Sequence, residues 1–190
     1  MIERKIFIEE AEKWKAEIRE AAAKVHSDVN QFYDMDKPYV FHLDQVYENV
    51  LKYGDVVCSS TSDVPVLVFG AYFHDAIEDA RLTYNDIIKE AKYLGIQPDS
   101  CTHCAEVVYA LTNEKGRSRA ERENDKYFDG LRQVRLAPFL KCCDRLANYK
   151  YASSVHSSLE KKYTQEMPDF LRRLDTSDVP AGLLLELSGS

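Results

Sequence analysis

Apolar residues recur along most of this chain at the spacing that places side chains on one face of an α-helix. In the first such segment, residues 3–25, the apolar positions are Ile6, Ala11, Trp14, Ile18, Ala22 and Val25. Residues 28–38 break this rhythm and are predicted to form a loop. The rhythm resumes over residues 41–53, and we predict that this helix ends at Gly54, because glycine is common just after a helix C-terminus.

The most continuously apolar segment is VPVLVFGAYF, at positions 64–73. Its pattern alone fits either a buried strand or a central helix. The rest of the sequence offers no partner strands, so we predict a helix with Pro65 in its first turn, where a missing N–H costs little. Further helices are predicted over residues 83–94, 99–112, 118–134, 137–153 and 157–174.

These elements predict an all-α fold, a single-domain helical bundle over residues 1–175 with a short C-terminal tail at 176–190. The 190 residues are 45% hydrophobic and 30% charged, as expected for one globular domain. We expect a cytoplasmic protein without a membrane partner, because no apolar run approaches the roughly 20 residues that span a bilayer. The net charge of −7 argues against a nucleic-acid partner.

Ionisable residues stand where apolar ones are expected in FHDAIEDA, at positions 73–80. His74 and Glu78 are four residues apart, as are Asp75 and Asp79, so each pair is predicted to share one helix face. Three carboxylates beside an imidazole are costly to bury without a cation. The segment therefore indicates a bound divalent ion.

A second polar cluster lies in KCCDRLANYK, at positions 141–150, where Asp144 and Asn148 are four residues apart. By itself such an aspartate is most often a cap or an ion-pair partner, and an isolated histidine such as His42 is most often an ordinary core or surface residue. Together with His74 and Asp75 they form a mixed nitrogen and oxygen set. Such a set suits Mn²⁺, Fe²⁺ or Zn²⁺ and leaves positions open for water and substrate.

The order His42, then His74-Asp75, then Asp144 resembles the HD superfamily of metal-dependent phosphohydrolases. The similarity is greatest to RelA/SpoT-type alarmone hydrolase domains and the small alarmone hydrolases of animals, which remove the 3′-pyrophosphate from ppGpp. It extends over residues 21–174. It is carried by the motifs KPYVFH (37–42), YFHDAIEDA (72–80), ALTNEK (110–115), AERE (120–123) and KCCDRLANYK (141–150).

The resemblance implies an HD-type bundle in which four residues bind the metal: His42, His74, Asp75 and Asp144. It implies Mn²⁺ as the ion, with Fe²⁺, Zn²⁺ or Mg²⁺ as alternatives. Glu78 and Asp79 correspond to the catalytic acidic pair of that family, which aligns or deprotonates the attacking water.

The resemblance also implies a set of substrate-binding residues. Asn148 matches a position near the ribose and phosphate, Lys115 lies near a position that contacts phosphate, and Tyr163 matches an aromatic of the last helix. Arg122 belongs to the basic stretch EKGRSRAER, at positions 114–122, which corresponds to the substrate-side loop. A solvated basic turn is the alternative interpretation of that stretch.

One segment departs from the family. Where alarmone hydrolases carry an Arg-Lys pair before the first metal-binding histidine, this chain reads NQFYDMDK, at positions 30–37. The guanidinium hydrogen bonds of that pair are therefore missing. We expect hydrolysis of (p)ppGpp-like alarmones, with a small-molecule nucleotide as the partner. The alternatives are a phosphatase of another nucleotide (NADPH, a dNTP or a nucleoside monophosphate) and a catalytically silent nucleotide-binding module; the oligomeric state stays open.

Overall fold

A computed structural model describes residues 1–189 and confirms the all-α prediction. Within these residues the chain has no β-strand, and its one isolated antiparallel bridge joins Phe32 to Pro38 in the predicted loop. The described part contains ten helices, which are α1 (Arg4–Ser27), α2 (Val40–Val57), α3 (Asp63–Phe73), α4 (Tyr84–Tyr93), α5 (Pro98–Leu111), α6 (Arg119–Arg122), α7 (Asp125–Gln133), α8 (Ala137–Ser154), α9 (Ser158–Leu174) and α10 (Ala181–Leu187).

Helix α3 is the centre of the bundle. Every residue of α3 is buried, which explains a composition that is apolar on all sides. It packs against α1, α2, α5 and α8. A Cβ atom at Gly70 would lie 2.6 Å from Cδ1 of Leu140, so the missing side chain permits the close approach of α3 and α8. This approach brings the C-terminal end of α3 beside the middle of α8.

The predicted end of the second helix at Gly54 is wrong, because α2 continues to Val57. A Cβ atom at position 54 would lie 2.5 Å from Cζ of Phe7, a fully buried residue of α1. The glycine therefore lets α1 pack closely against α2 and does not terminate the helix.

The prediction of a single helix over residues 118–134 is also wrong, because two helices, α6 and α7, cover this segment. The helical conformation is interrupted between α6 and α7. There Asn124 adopts an extended backbone conformation, and its side chain accepts a hydrogen bond from Tyr127 N at 3.1 Å. An asparagine that caps a new helix competes with continuation of the preceding one.

The segment 176–190, predicted as a tail, contains α10, which packs on α8; Ser190 lies outside the described residues. Leu183 and Leu187 are buried, and Glu186 forms ion pairs with Lys150 at 2.5 Å and with Lys52. The apolar leucines give this short helix a buried face, so it belongs to the bundle. No helix in residues 1–189 combines the length and apolar content needed to cross a membrane.

Asp63 anchors the start of α3. Its carboxylate accepts hydrogen bonds from Ser59 N at 2.7 Å and Ser59 Oγ at 2.8 Å, and it forms a two-point ion pair with the Arg135 guanidinium. Burial alone would raise the pKa of Asp63, but the bonds to Arg135 and Ser59 outweigh it and lower the pKa to about 2. The ionised form is therefore the one that stabilises the fold.

We predict that Asp63→Asn lowers the free energy of unfolding by about 1–2 kcal/mol at neutral pH. Because the folded pKa of Asp63 lies below the usual value, this contribution is complete above roughly pH 4 and is lost as the pH falls towards 2. Urea unfolding from pH 7 down to pH 2.5 measures the free energy of unfolding of the variant and the wild type. We expect the difference between the two to become smaller as the pH falls. Asp36→Asn, at an exposed position, is the control and should follow the wild type. A difference that stays constant over this pH range would contradict the prediction.

Candidate metal centre

The structure brings the four predicted ligands His42, His74, Asp75 and Asp144 to one place, which we call the candidate metal centre. His42 lies in the first turn of α2, His74 caps the C-terminus of α3 and is followed by Asp75, and Asp144 lies in the middle of α8. Three regions that are far apart in the sequence thus converge. The two histidines and Asp144 are buried, and Asp75 is partly exposed.

The donor atoms are close enough to share one ion. His42 Nε2 lies 3.3 Å from His74 Nε2, 3.3 Å from Asp144 Oδ1 and 4.0 Å from Asp75 Oδ2. His74 Nε2 lies 3.0 Å from Asp75 Oδ2 and 3.7 Å from Asp144 Oδ1. Ligands about 2.1 Å from an octahedral ion lie about 3 Å apart when adjacent and about 4.2 Å apart when opposite. These distances fall within or near that range, and the donor atoms of His42, His74 and Asp75 all lie within 4.8 Å of one another.

The two histidines are oriented by different means. His74 Nδ1 lies 3.0 Å from Ala71 O, so this nitrogen carries a proton and donates it. Nε2 therefore faces the site, where it shares a proton with Asp75 or would bind a metal ion. The ring of His42 is stacked on Tyr33, with 4.8 Å between centroids and an interplanar angle of 7°. Nδ1 of His42 is buried and has no hydrogen-bond partner within residues 1–189.

Both carboxylates of the candidate metal centre receive hydrogen bonds. Tyr39 Oη donates to Asp75 Oδ2 at 2.5 Å. Asn148 Nδ2 donates to Asp144 Oδ1 at 2.6 Å, and Lys141 Nζ donates to Asp144 Oδ2 at 3.1 Å. Such outer contacts orient ligands and limit their movement.

The electrostatics of the site favour a cation. Burial opposes ionisation of Asp144, but the charges of Lys141 and of the two imidazoles outweigh it and hold the pKa of this carboxyl well below its usual range. Burial would likewise lower the pKa of His74, but the attraction of Asp75 and Asp144 raises it to about 9. In the absence of an ion the carboxylates therefore retain a proton on His74. A divalent cation would provide the same compensation, so the donor set fits one.

The prediction that residues 74–80 continue the helix is wrong. Helix α3 ends at Phe73, and residues 74–79 form successive turns. The chain reverses at Arg81, whose φ of 63° lies in the left-handed region and cannot continue a right-handed helix. Asp79 N still donates to Asp75 O at 2.8 Å, which keeps the two residues close. Burial, followed by the charge of Asp75, raises the pKa of Asp79 to about 6.

Glu78 is exposed at the edge of the candidate metal centre and is held by Asn113. The backbone N and the side-chain Nδ2 of Asn113 each lie 3.3 Å from a carboxylate oxygen of Glu78. Sequence reasoning missed Asn113, although it lies in the ALTNEK motif. Its contacts tether the loop after α5 to the site, and Lys115 follows two residues later as an exposed side chain of this loop.

The other residues predicted to bind substrate, Arg122, Tyr163 and Asn148, already contact other parts of the protein. Arg122 accepts a backbone hydrogen bond from Glu114 N at 3.2 Å, and its Nε is buried without a partner in the described part of the chain. Tyr163 is partly buried, with the guanidinium groups of Arg119 and Arg145 at 5.5 and 5.3 Å from its ring centroid. The Asn148 amide is already bonded to protein partners.

Lys141 and Tyr33 were also missed. The spacing of Lys141, three residues before Asp144, places both on one helix face and is the signal by which it could have been found. Tyr33 offered no such signal, because it lies in an irregular loop and its hydrogen-bond partner Asn148 is 115 residues further along the chain.

We predict that Lys141→Met lowers the free energy of unfolding of the metal-free protein by about 3–5 kcal/mol, because Asp144 is left buried without its ammonium partner. Lys141→Arg, which keeps the charge, should recover much of the loss. The measurement is urea unfolding in the presence of a chelator.

Lys89→Met is the matched control for this prediction. Lys89 also lies three residues from an aspartate, Asp86, at 3.0 Å, but its side chain is 75% exposed against 10% for Lys141. Exposed pairs contribute little, so the control should unfold like the wild type. Equal losses for the two methionine variants would contradict the role of the buried pair.

Comparisons of the chain with protein-family models, with curated proteins and with solved structures find no match in any of the three.

Proposed function

We propose that the chain is a metal-dependent nucleotide phosphohydrolase with an HD-type bundle, acting on the 3′-pyrophosphate of (p)ppGpp-like alarmones. The observation that supports this most strongly is the convergence of two imidazoles and two carboxylates, with a further acidic pair beside them. A set of this kind is costly to maintain in a protein interior without a cation to hold. The order of these residues along the chain is that of the HD superfamily.

His42, His74, Asp75 and Asp144 would hold the ion, Mn²⁺ in the first instance, with Fe²⁺, Zn²⁺ or Mg²⁺ as alternatives. When bound, such an ion polarises a phosphoryl oxygen and lowers the pKa of water. Asp75 and Asp144 would bring two negative charges to the ion, and Lys141 offsets part of the charge of Asp144.

Glu78 and Asp79 would align the attacking water and accept a proton from it. Asp79 is partly buried and adjoins Asp75 through a backbone hydrogen bond, which suits a group that accepts a proton close to the reacting phosphorus. Glu78 is exposed and both of its oxygens are held by Asn113, which suits a group that aligns the water.

The basic side chains that neutralise the negative charge of the substrate phosphates would come from the loop after α5. Arg119 of this region is already paired with Glu123 at 2.9 Å and with Glu166 at 3.2 Å. Lys115 and Arg117 are exposed, and Asn113 tethers the loop to Glu78. We therefore assign charge neutralisation to Lys115 and Arg117 rather than to Arg119.

A second candidate function keeps the metal chemistry and changes the substrate to another nucleotide, such as NADPH, a dNTP or a nucleoside monophosphate. It is favoured by the loop before His42, where the aromatic Tyr33 packs on the site in place of a basic pair. A catalytically silent nucleotide-binding module is less favoured, because it gives no role to the acidic pair Glu78 and Asp79 beside the candidate metal centre.

We predict that protein stripped of metal by a chelator is inactive and that Mn²⁺ restores turnover. The assay offers ppGpp, NADPH, dNTPs and monophosphates and measures orthophosphate and pyrophosphate separately. Pyrophosphate released from ppGpp supports the alarmone hydrolase, and orthophosphate from another nucleotide supports the second candidate. Asp144→Asn should lose Mn²⁺ binding and turnover together, whereas Asp36→Asn should lose neither. Full turnover by Asp144→Asn would refute the site.

We predict that Glu78→Gln and Asp79→Asn keep Mn²⁺ binding but lower kcat by roughly 10²–10⁴-fold, the usual contribution of a positioned acid or base. Both amides preserve shape and remove only the charge. Glu106→Gln is the control, because Glu106 also accepts a hydrogen bond, from Tyr84 of α4, but belongs to no part of the site. Unchanged kcat in both site variants would exclude the acidic pair from catalysis.

A further inference from the structure

Tyr33 contacts the candidate metal centre at two points. Its ring lies parallel to the imidazole of His42, and the rings of Tyr39 and Tyr151 lie edge-on to it at 6.2 and 4.9 Å. Its hydroxyl lies 3.0 Å from Asn148 Oδ1. One side chain of the loop between α1 and α2 therefore contacts one ligand directly and a second ligand through Asn148.

Two hydrogen bonds link Tyr33 to Asn148 and Asn148 to Asp144, and the donor of each can be assigned. The ionised carboxylate of Asp144 can only accept, so the Asn148 group at 2.6 Å from Asp144 Oδ1 must be the NH₂ of the amide. The amide oxygen then faces Tyr33, and the Tyr33 hydroxyl must donate to it. Loss of that hydroxyl would leave the Asn148 oxygen without its donor. The amide would then be held only through Nδ2, which donates to Asp144 Oδ1 and to the backbone oxygen of Asp144 at 3.2 Å.

The Asn148 amide holds the oxygen of Asp144 that faces the two imidazoles. Oδ1 lies 3.3 Å from His42 Nε2 and 3.7 Å from His74 Nε2, while Oδ2 is held separately by Lys141. The orientation of the oxygen that would bind the ion therefore depends on Asn148, and the orientation of Asn148 depends on Tyr33.

The loop that carries Tyr33 is itself held in place. Tyr33 N donates to Lys37 O at 3.0 Å, next to the bridge between Phe32 and Pro38. Asp34 accepts a hydrogen bond from Tyr151 Oη at 2.5 Å, which fixes the loop to α8, the helix that carries Asp144. The hydroxyl of Tyr33 is thus presented to Asn148 at a fixed position.

We infer that Tyr33 is a positioning residue that raises the affinity of this site for its divalent ion by orienting Asp144 through Asn148. The inference rests on the proposed function, because it concerns the ion that the proposed hydrolase would use. Contacts of this outer kind typically change metal affinity by about 10–100-fold when they are removed.

The test measures the Mn²⁺ dissociation constant of the purified full chain by electron paramagnetic resonance of free Mn²⁺. Tyr33→Phe keeps the ring stacked on His42 and removes only the hydroxyl, so the fold should persist, as thermal unfolding will verify. We expect binding about 10-fold weaker. Turnover should fall at limiting Mn²⁺ and recover at saturating Mn²⁺, a recovery that general structural damage would not give.

The matched control is Tyr84→Phe, which removes a hydroxyl bonded to Glu106 at 2.5 Å and should bind Mn²⁺ as the wild type does. Asn148→Ala supplies a double-mutant cycle with Tyr33→Phe. If Tyr33 acts through Asn148, adding Tyr33→Phe to Asn148→Ala should weaken binding no further.

Three outcomes would overturn the inference, and they differ in what they say of the proposed function. Wild-type affinity in Tyr33→Phe overturns the inference alone and leaves the hydrolase standing. Additive losses in the double variant also overturn it, because Tyr33 would then act without Asn148. A wild-type protein that binds no divalent ion overturns the proposed function and the inference together.

Discussion

Asp144 carries a negative charge inside a helical bundle, and a charge in that position is costly unless opposite charges lie within a few ångströms. The structure meets this requirement with the ammonium of Lys141 on one carboxylate oxygen and with two imidazoles and an amide on the other. Asp75 adds a second negative charge to the same two imidazoles. The two carboxylates therefore exceed the fixed positive charge of Lys141. A proton on His74 meets this excess when no ion is bound, and a bound cation would take its place.

The fold explains how groups so far apart in sequence reach one point. Helix α3 is buried on all sides, so the surrounding helices determine where its C-terminal end lies. Gly70 lets α8 approach closely, and this approach sets His74 and Asp75 beside Asp144. The site lies where the apolar run of α3 stops, because polar side chains that follow directly after a buried helix stay near the core.

Features encoded by local pattern could be predicted from the sequence, and features encoded by distant contacts could not. The central helix follows from its apolar run, and the ionisable residues that end this run drew attention to His74 and Asp75. His42 and Asp144 were named as candidate ligands only through the resemblance to the HD superfamily, because each is an ordinary residue by local pattern alone. Gly54 was misjudged because its role depends on the ring of Phe7, 47 positions earlier. The helix α10 was missed because seven residues carry too little periodicity to distinguish a packed helix from a tail.

If the proposed function holds, the loop before His42 carries an aromatic residue where alarmone hydrolases carry a basic pair, and this changes which loop meets the substrate. An Arg-Lys pair at this place would reach outward to an anionic substrate, whereas Tyr33 turns inward to His42 and Asn148. On the proposed function, the positive charge that the substrate requires must then come from elsewhere. The loop after α5 can provide it, because Asn113 ties that loop to Glu78 while Lys115 remains exposed. The loop after α5 would therefore determine which substrate binds, and the loop before His42 would orient the residues that bind the ion.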